Sequence, residues 1–302
     1  MALLLLEFAV RFGLPHINSN MRRFRNELAA VIHMGQKSDA SETSILFLGN
    51  SLTLTDIDVG CMQAELGGEI TVARWAVDDT NYLDWLFGLQ RVFRAGGRPR
   101  VVVVGGKSGH FLASHVRGQF FAHYVLDGRD LFEVASRTGA DANGSCNMAV
   151  AHLSAFYGSR EEVYKRVLTW VLPGFRGFAR TLNKGQQPYP VEANLLRRAV
   201  GRLEEMKNLC AANRAQLVLW LPPTPGQDRN AKVILEAGRH SNVPVLVSMA
   251  DGEIPSQDYL DGYHLSPSGA HTNTIALARA LRGLLATHSG AGTPWPNIQW
   301  TK

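Results

Sequence analysis

From Ser44 onward the apolar positions arrive in short blocks, separated by longer amphipathic stretches. Residues 44–49 (SILFLG) are an apolar run closing on glycine, and residues 69–75 form a second strand candidate. Residues 100–105 (RVVVVG) are the clearest, because the β-branched valines 101–104 fall on both faces and require burial on both. Residues 215–221 (AQLVLWL) and 243–249 (VPVLVSM) complete five. Helical stretches near 56–66 and 79–95 separate the first three, the second closed by Gly96, Gly97 and Pro99. Buried strands separated by helices predict a parallel, doubly wound sheet, a three-layer α/β/α fold of flavodoxin-like type.

The rhythm breaks between 107 and 189, where about three helical segments and no strand precede a long helix near 191–213. There Ser159-Arg160-Glu161-Glu162 matches a capping box ahead of an apolar-periodic stretch. No Pro/Gly/Ser linker isolates this region, so it reads as a helical insertion over the carboxyl edge of the sheet, after the third strand. A closing helix over 267–286 ends an α/β domain that begins at 44, and the Gly/Pro/Trp-rich residues 287–302 read as an extended tail.

Residues 1–43 form a helical segment ahead of the domain. Its first apolar run, ALLLLEFAV at 2–10, is far shorter than the ~20 residues of a spanning helix and lacks the marks of a secretory signal. Two readings stay open: an ordinary helix packing on the domain, or the last half of a membrane anchor. The second would make the protein extracytoplasmic and membrane-associated through its N-terminus; the first is compatible with the cytoplasm.

Composition narrows the partners. With 302 residues, 45% hydrophobic and 19% charged, the chain can bury a large core without disulfides, which excludes disorder and stapled miniproteins. Lys+Arg 31 against Asp+Glu 26 leaves +5 spread over the chain, too diffuse for nucleic acid. Cys61, Cys146 and Cys210 match no metal pattern and read as buried small hydrophobes. No metal or other cofactor is expected, and nothing in the pattern sets an oligomeric state.

Ligands of a doubly wound sheet bind beyond the carboxyl ends of its strands. After the first strand stands Gly49-Asn50-Ser51-Leu52-Thr53, which puts Ser51 in a strand-to-helix turn. Read alone, such a serine is a helix N-cap. After the fifth strand comes Asp261-Gly262-Tyr263-His264, then Leu265-Ser266-Pro267-Ser268-Gly269-Ala270 and a helix. A neutral serine needs an imidazole to take its proton and a carboxylate to fix the tautomer, and this loop can supply both. An isolated D-x-x-H is, by contrast, only a turn cap beside a surface histidine.

Taken together, GNSLT and DGYHLSPSGA resemble the blocks of the SGNH (GDSL-like) superfamily of serine esterases and acyltransferases. The likeness spans roughly 44–285 and is similar in flavour to SGNH-like proteins that acylate cell-envelope or exported polysaccharides. It implies Ser51 as nucleophile, His264 as general base and Asp261 as its orienting acid, acting by ester hydrolysis or acyl (acetyl) transfer on a small ester or glycan. Two departures stand out. Where the family offers a glycine amide to the oxyanion hole, this chain reads Arg74-Trp75-Ala76-Val77-Asp78-Asp79-Thr80, leaving the amides of Ala76, Val77 or Asp78 as candidates. Where the family has an asparagine, the chain reads Gly105-Gly106-Lys107-Ser108, so Lys107 or Ser108 would have to donate. These departures keep a catalytically silent glycan-binding or assembly component as the alternative.

Other motifs lead elsewhere. Gly106-Lys107-Ser108 ends like a P-loop, but the first glycine would fall at Val101, inside a buried strand. His110, His115 and His123 lack metal-ligand spacing and read as insertion-surface residues. Of the tryptophans, Trp85, Trp170 and Trp220 read as core, and Trp75, at a strand end, is the one placed for a sugar-stacking pocket. Asp78 and Asp79 could hold a cation or cap the following helix.

Overall fold

The computed structural model describes residues 2–35, 43–172, 174, 194–226, 228–250 and 252–286. The tail expected at 287–302 lies outside them. The chain divides into two compact units, residues 24–113 with 191–302 and residues 1–23 with 114–190. The dividing point near the start falls inside the helix Ser19–His33.

The first of these units is an α/β domain built on five parallel strands: β1 Thr43–Gly49, β2 Ile70–Ala76, β3 Val101–Gly105, β4 Gln216–Leu221 and β5 Val245–Val247. They lie in the order β2-β1-β3-β4-β5, the flavodoxin-like arrangement, in which the strand order reverses beside β1. In register, Gly49 lies beside Ala76 on one side and Gly105 on the other, so three strand ends meet at one level.

Side chains alternate between the two faces of a strand, and both faces here are covered. Ile45, Phe47, Val101, Val103, Val218, Trp220 and Leu246 pack with Met62, Leu66, Leu277 and Leu281 from the helices Val59–Leu66 and Pro267–Ala286. The intervening Leu46, Leu48, Val102, Val104, Leu217 and Leu219 are buried on the opposite face, the side of the helices Tyr82–Arg94, Leu195–Ala212 and Ala231–Ser241. These layers make the three-layer α/β/α fold.

Two local expectations shift. The helix expected near 56–66 starts later, at Val59–Leu66, where Asp58 accepts from the Cys61 amide as its N-cap, and a separate short helix, Ser51–Thr55, precedes it. The fifth strand is only three residues long. The helix Ala231–Ser241 is additional; Asn230 stands at its N-cap without a side-chain bond, and Asn242 in the left-handed region closes it.

The second unit is helical. Its first helix, Ala2–Phe8, places Glu7 at the start of Ala155–Gly158, where its carboxylate accepts from the amides of Ala155 (2.7 Å) and Phe156 (3.0 Å) and from the Ser154 hydroxyl (2.8 Å). Burial opposes the charge, but these four-way contacts with Arg11 included lower the Glu7 pKa to about 2. Leu4, Leu5 and Phe8 remain exposed on that helix. Among the described residues, no helix is long and apolar enough to cross a membrane. Ser159 precedes the helix Arg160–Val171 as expected, but its hydroxyl bonds Tyr124 instead of capping, and Glu162 pairs with Arg117 at 3.4 Å.

Candidate active site

β1 delivers the chain into a tight turn in which Asn50, not Ser51, caps the next helix: its Oδ1 accepts from the Leu52 amide at 3.1 Å. The Ser51 hydroxyl is thereby released from the capping role that a serine before a helix usually fills. Thr53 fastens the turn to the neighbouring strand by donating to the Gly105 carbonyl at 3.1 Å. The glycines are needed for closeness. A Cβ on Gly49 would overlap the Thr53 hydroxyl, one on Gly105 would sit 2.5 Å from the Trp220 ring, and one on Gly106 would sit 2.7 Å from Trp85.

On the far side of β5 the chain folds back on itself through an antiparallel bridge between Tyr259 and Leu265. Leu260 donates to the His264 carbonyl at 2.8 Å, and Gly262 takes the left-handed backbone that the turn requires. Inside this turn, Asp261 Oδ1 accepts from the amides of Tyr263 (3.0 Å) and His264 (2.8 Å), while Oδ2 lies 2.8 Å from His264 Nδ1. His264 Nε2 lies 2.9 Å from Ser51 Oγ, bridging 213 positions of sequence. Because Asp261 can only accept in its ionised form, Nδ1 carries the proton and Nε2 faces the serine as an acceptor. Partial burial works against the Asp261 charge, but His264 and the two amides outweigh it and hold its pKa below the usual carboxylate range.

The candidate oxyanion donors fare differently. The Ala76 amide donates to Glu27 Oε2 at 3.2 Å, a carboxylate that also pairs with Arg74 at 3.2 Å. The Val77 amide donates to the Gly49 carbonyl at 3.0 Å. Ser108 is fully buried, and both its amide (2.7 Å) and its hydroxyl bond Asp228, from the loop after β4. Ala76 and Ser108 therefore do not present these groups to Ser51. Lys107 does reach the site: its ammonium lies 4.0 Å from the Tyr263 ring centroid, and that ring stands edge-on to His264 at 4.9 Å. Asp78 is half-buried; its neighbour Asp79 takes a left-handed φ of 58°, and the helix that follows is capped by Asn81 rather than by either aspartate.

Sequence reasoning missed two acidic groups at this edge. Asp228 holds Ser108 across 120 positions, a pairing without a local signal. Asp56, at the end of the Ser51–Thr55 helix, is fully buried. Its Oδ1 accepts from the Leu265 amide at 3.0 Å and the Thr55 hydroxyl at 2.6 Å, whereas Oδ2 has no hydrogen-bond partner among the described residues. Burial pushes its carboxyl up to about 6, against the pull of Thr55, the Leu265 amide, His264 and Lys107. His110 is not a surface residue either. Burial, and then the Lys107 charge, lower its pKa to about 4, and its Nδ1 accepts from the Lys107 amide at 3.1 Å.

Trp75, expected to face a pocket, is a core residue against Phe24, with ring centroids 5.9 Å apart. Trp85 and Trp220 are also core, while Trp170, in the helical unit, is 85% exposed. Cys210 is buried, but Cys61 is half-buried and Cys146 exposed. Residues 101–105 form a strand, so no P-loop occurs there. Among the described residues, no cluster of three or more His, Cys, Asp or Glu side chains could hold a metal ion.

No protein family profile matches the chain, and no curated protein does. Among solved structures, LAE5, an alpha/beta hydrolase enzyme from the metagenome of Lake Arreo, Spain, aligns at a TM-score of 0.41 and 11% identity, over 81% of this chain and 96% of that one. A second structure aligns at 0.37 and 12% identity, over 81% and 99% respectively. Both likenesses are too slight to transfer a residue role.

Proposed function

We propose that this chain is a serine-dependent acyl-transfer enzyme of SGNH-like type, with Ser51 as nucleophile, His264 as general base and Asp261 as the orienting acid. The observation that carries this is the continuous hydrogen-bonded line from Asp261 Oδ2 through His264 to Ser51 Oγ, at 2.8 and 2.9 Å. His264 Nε2 takes the hydroxyl proton as Ser51 Oγ bonds to an ester carbonyl carbon. The tetrahedral adduct then expels the alcohol, which leaves with the proton from Nε2. A second hydroxyl repeats the cycle on the acyl-serine: water gives hydrolysis, and a sugar hydroxyl gives transfer. Asp261 stabilises the imidazolium at each stage, and Lys107 brings positive charge to the edge where negative charge develops on the carbonyl oxygen. A carbohydrate or envelope-polysaccharide substrate rests on the resemblance of the two sequence blocks alone, and a membrane-associated, extracytoplasmic setting on that resemblance together with the apolar run at residues 2–10.

The alternative, a catalytically silent glycan-binding or assembly component, is favoured by one specific observation, the engagement of the Ala76 and Ser108 donors by Glu27 and Asp228. A fluorophosphonate probe separates the two readings. Labelling that maps to Ser51, and is lost in Ser51→Ala and His264→Ala, supports the enzyme; folded wild-type protein that never labels refutes it.

A further inference from the structure

The Ser51–His264 pair joins two segments that share no covalent proximity, so something must set their separation. His264 is fixed within its own loop by Asp261 on its amide and by Leu260 on its carbonyl. The next peptide N–H, that of Leu265, points instead at Asp56, which belongs to the serine's segment. Asp56 is also joined to the serine itself: Thr55 Oγ1 lies 2.6 Å from Asp56 Oδ1 and 2.8 Å from the Ser51 carbonyl. The Asp56 carbonyl accepts from Asn273 Nδ2 at 2.7 Å, and Asn273 in turn accepts from Ser248, which accepts from Trp220 Nε1. Asp56 is therefore the node at which the serine turn, the histidine loop and the final helix meet.

We propose that Asp56 is a positioning residue of the active site, holding the histidine loop at its working distance from Ser51. This rests on the acyl-transfer reading above. A hydroxyl carries one proton, so the Thr55 contacts describe two states. With Asp56 ionised, Thr55 donates to it; with Asp56 protonated, Asp56 donates to Thr55, and Thr55 donates to the Ser51 carbonyl. The carboxyl oxygen that lacks a partner keeps the ionised form costly in this buried place, so the two states lie within reach of one another near neutral pH. Among the described residues the charged groups acting on Asp56 are His264 and Lys107, both of which favour its ionised form; Asn273 and the Leu265 amide are neutral partners.

The experiment compares the rate and pH dependence of fluorophosphonate labelling in wild type, Asp56→Ala and Asp56→Asn, with circular dichroism to confirm folding. Asp56→Ala removes the acceptor for Leu265, and labelling slows about 100-fold, the cost of a displacement on the order of 1 Å at a reacting pair. Asp56→Asn keeps an acceptor oxygen and restores the rate to within about tenfold, but it removes the negative charge that favours the imidazolium. Its acid limb therefore moves to lower pH. A residue needed only for folding would lower the labelled fraction without moving that limb. Wild-type labelling with an unaltered Asp56→Ala rate, or with an Asp56→Asn profile superimposed on wild type, overturns this inference alone. If Asp56→Ala does not fold, the Asp56→Asn profile decides. Folded wild type that never labels overturns the acyl-transfer reading and this inference with it.

Discussion

Asp261→Asn is the substitution whose outcome the geometry specifies most sharply. The wild-type carboxylate uses one oxygen for two amides, Tyr263 and His264, and the other for His264 Nδ1. An asparagine has one acceptor oxygen and one NH2 group. Turning the NH2 toward the two amides would set donors against donors, losing two hydrogen bonds, each worth about 1 kcal/mol net and more when left unsatisfied. The oxygen therefore stays on the amides, and the NH2 faces Nδ1. That nitrogen becomes an acceptor, the proton moves to Nε2, and the imidazole now presents a donor to Ser51 where the proposed acyl transfer requires an acceptor. Loss of the base tautomer at a serine–histidine pair costs about 10⁴ in rate, or about 5.4 kcal/mol of barrier. Hydrolysis of a p-nitrophenyl ester, followed alongside circular dichroism, reads this out. Asp261→Ala should be milder: the Asp261 side chain is 42% exposed, so water can reach Nδ1 and either tautomer is open to the ring. A folded Asp261→Asn protein within tenfold of wild type, or one more active than Asp261→Ala, would refute the tautomer argument.

Three further outcomes follow from contacts elsewhere in the structure. Gly105→Ala should destabilise the α/β domain by about 1–3 kcal/mol through overlap with the Trp220 ring, measured as a lowered urea midpoint with unchanged slope. The Asp56 carboxyl has a folded-state pKa of about 6, raised from 3.8 chiefly by burial; its cost is absent below about pH 4, accumulates as pH rises from 4 to 6 and is complete above 6. Asp56→Asn should therefore be more stable than wild type at pH 8, by on the order of 2 kcal/mol, with the advantage vanishing at pH 4. Equal stability at both pH values would contradict this. In the helical unit, the depressed Glu7 pKa means that its contribution is complete above the ordinary glutamate value of 4.5 and is lost as pH falls toward 2. Amide exchange at Ala155 and Phe156 should accelerate over that window, and Glu7→Gln should show the faster exchange already at neutral pH.

Much of the α/β domain was legible in the chain because its signals are local. A run such as Val101-Val102-Val103-Val104 has no polar face to offer water, so it must be a strand covered on both sides, and helical stretches between the first three strand candidates favour a parallel sheet. Asp261 and His264 were legible for the same reason: three residues apart, they share one turn. The short helix Ala231–Ser241 was not read, although Asn230 stands at its N-cap, and neither was the break at Asp56 that separates the serine's helix from the next.

What the sequence by itself determined was the five strands and their parallel, doubly wound arrangement, and it singled out Ser51, Asp261 and His264 as candidates. Only the tertiary structure decided which hydrogen-bonding groups remain available to a substrate. Glu27 takes the Ala76 amide from 49 positions away, Asp228 takes Ser108 from 120, and Asp56 reaches Leu265 across 209. Each pairing arises because packing the layers brings distant polar groups into a buried space, where a donor must find an acceptor or bear the cost of desolvation. No periodicity along the chain encodes which partner that will be.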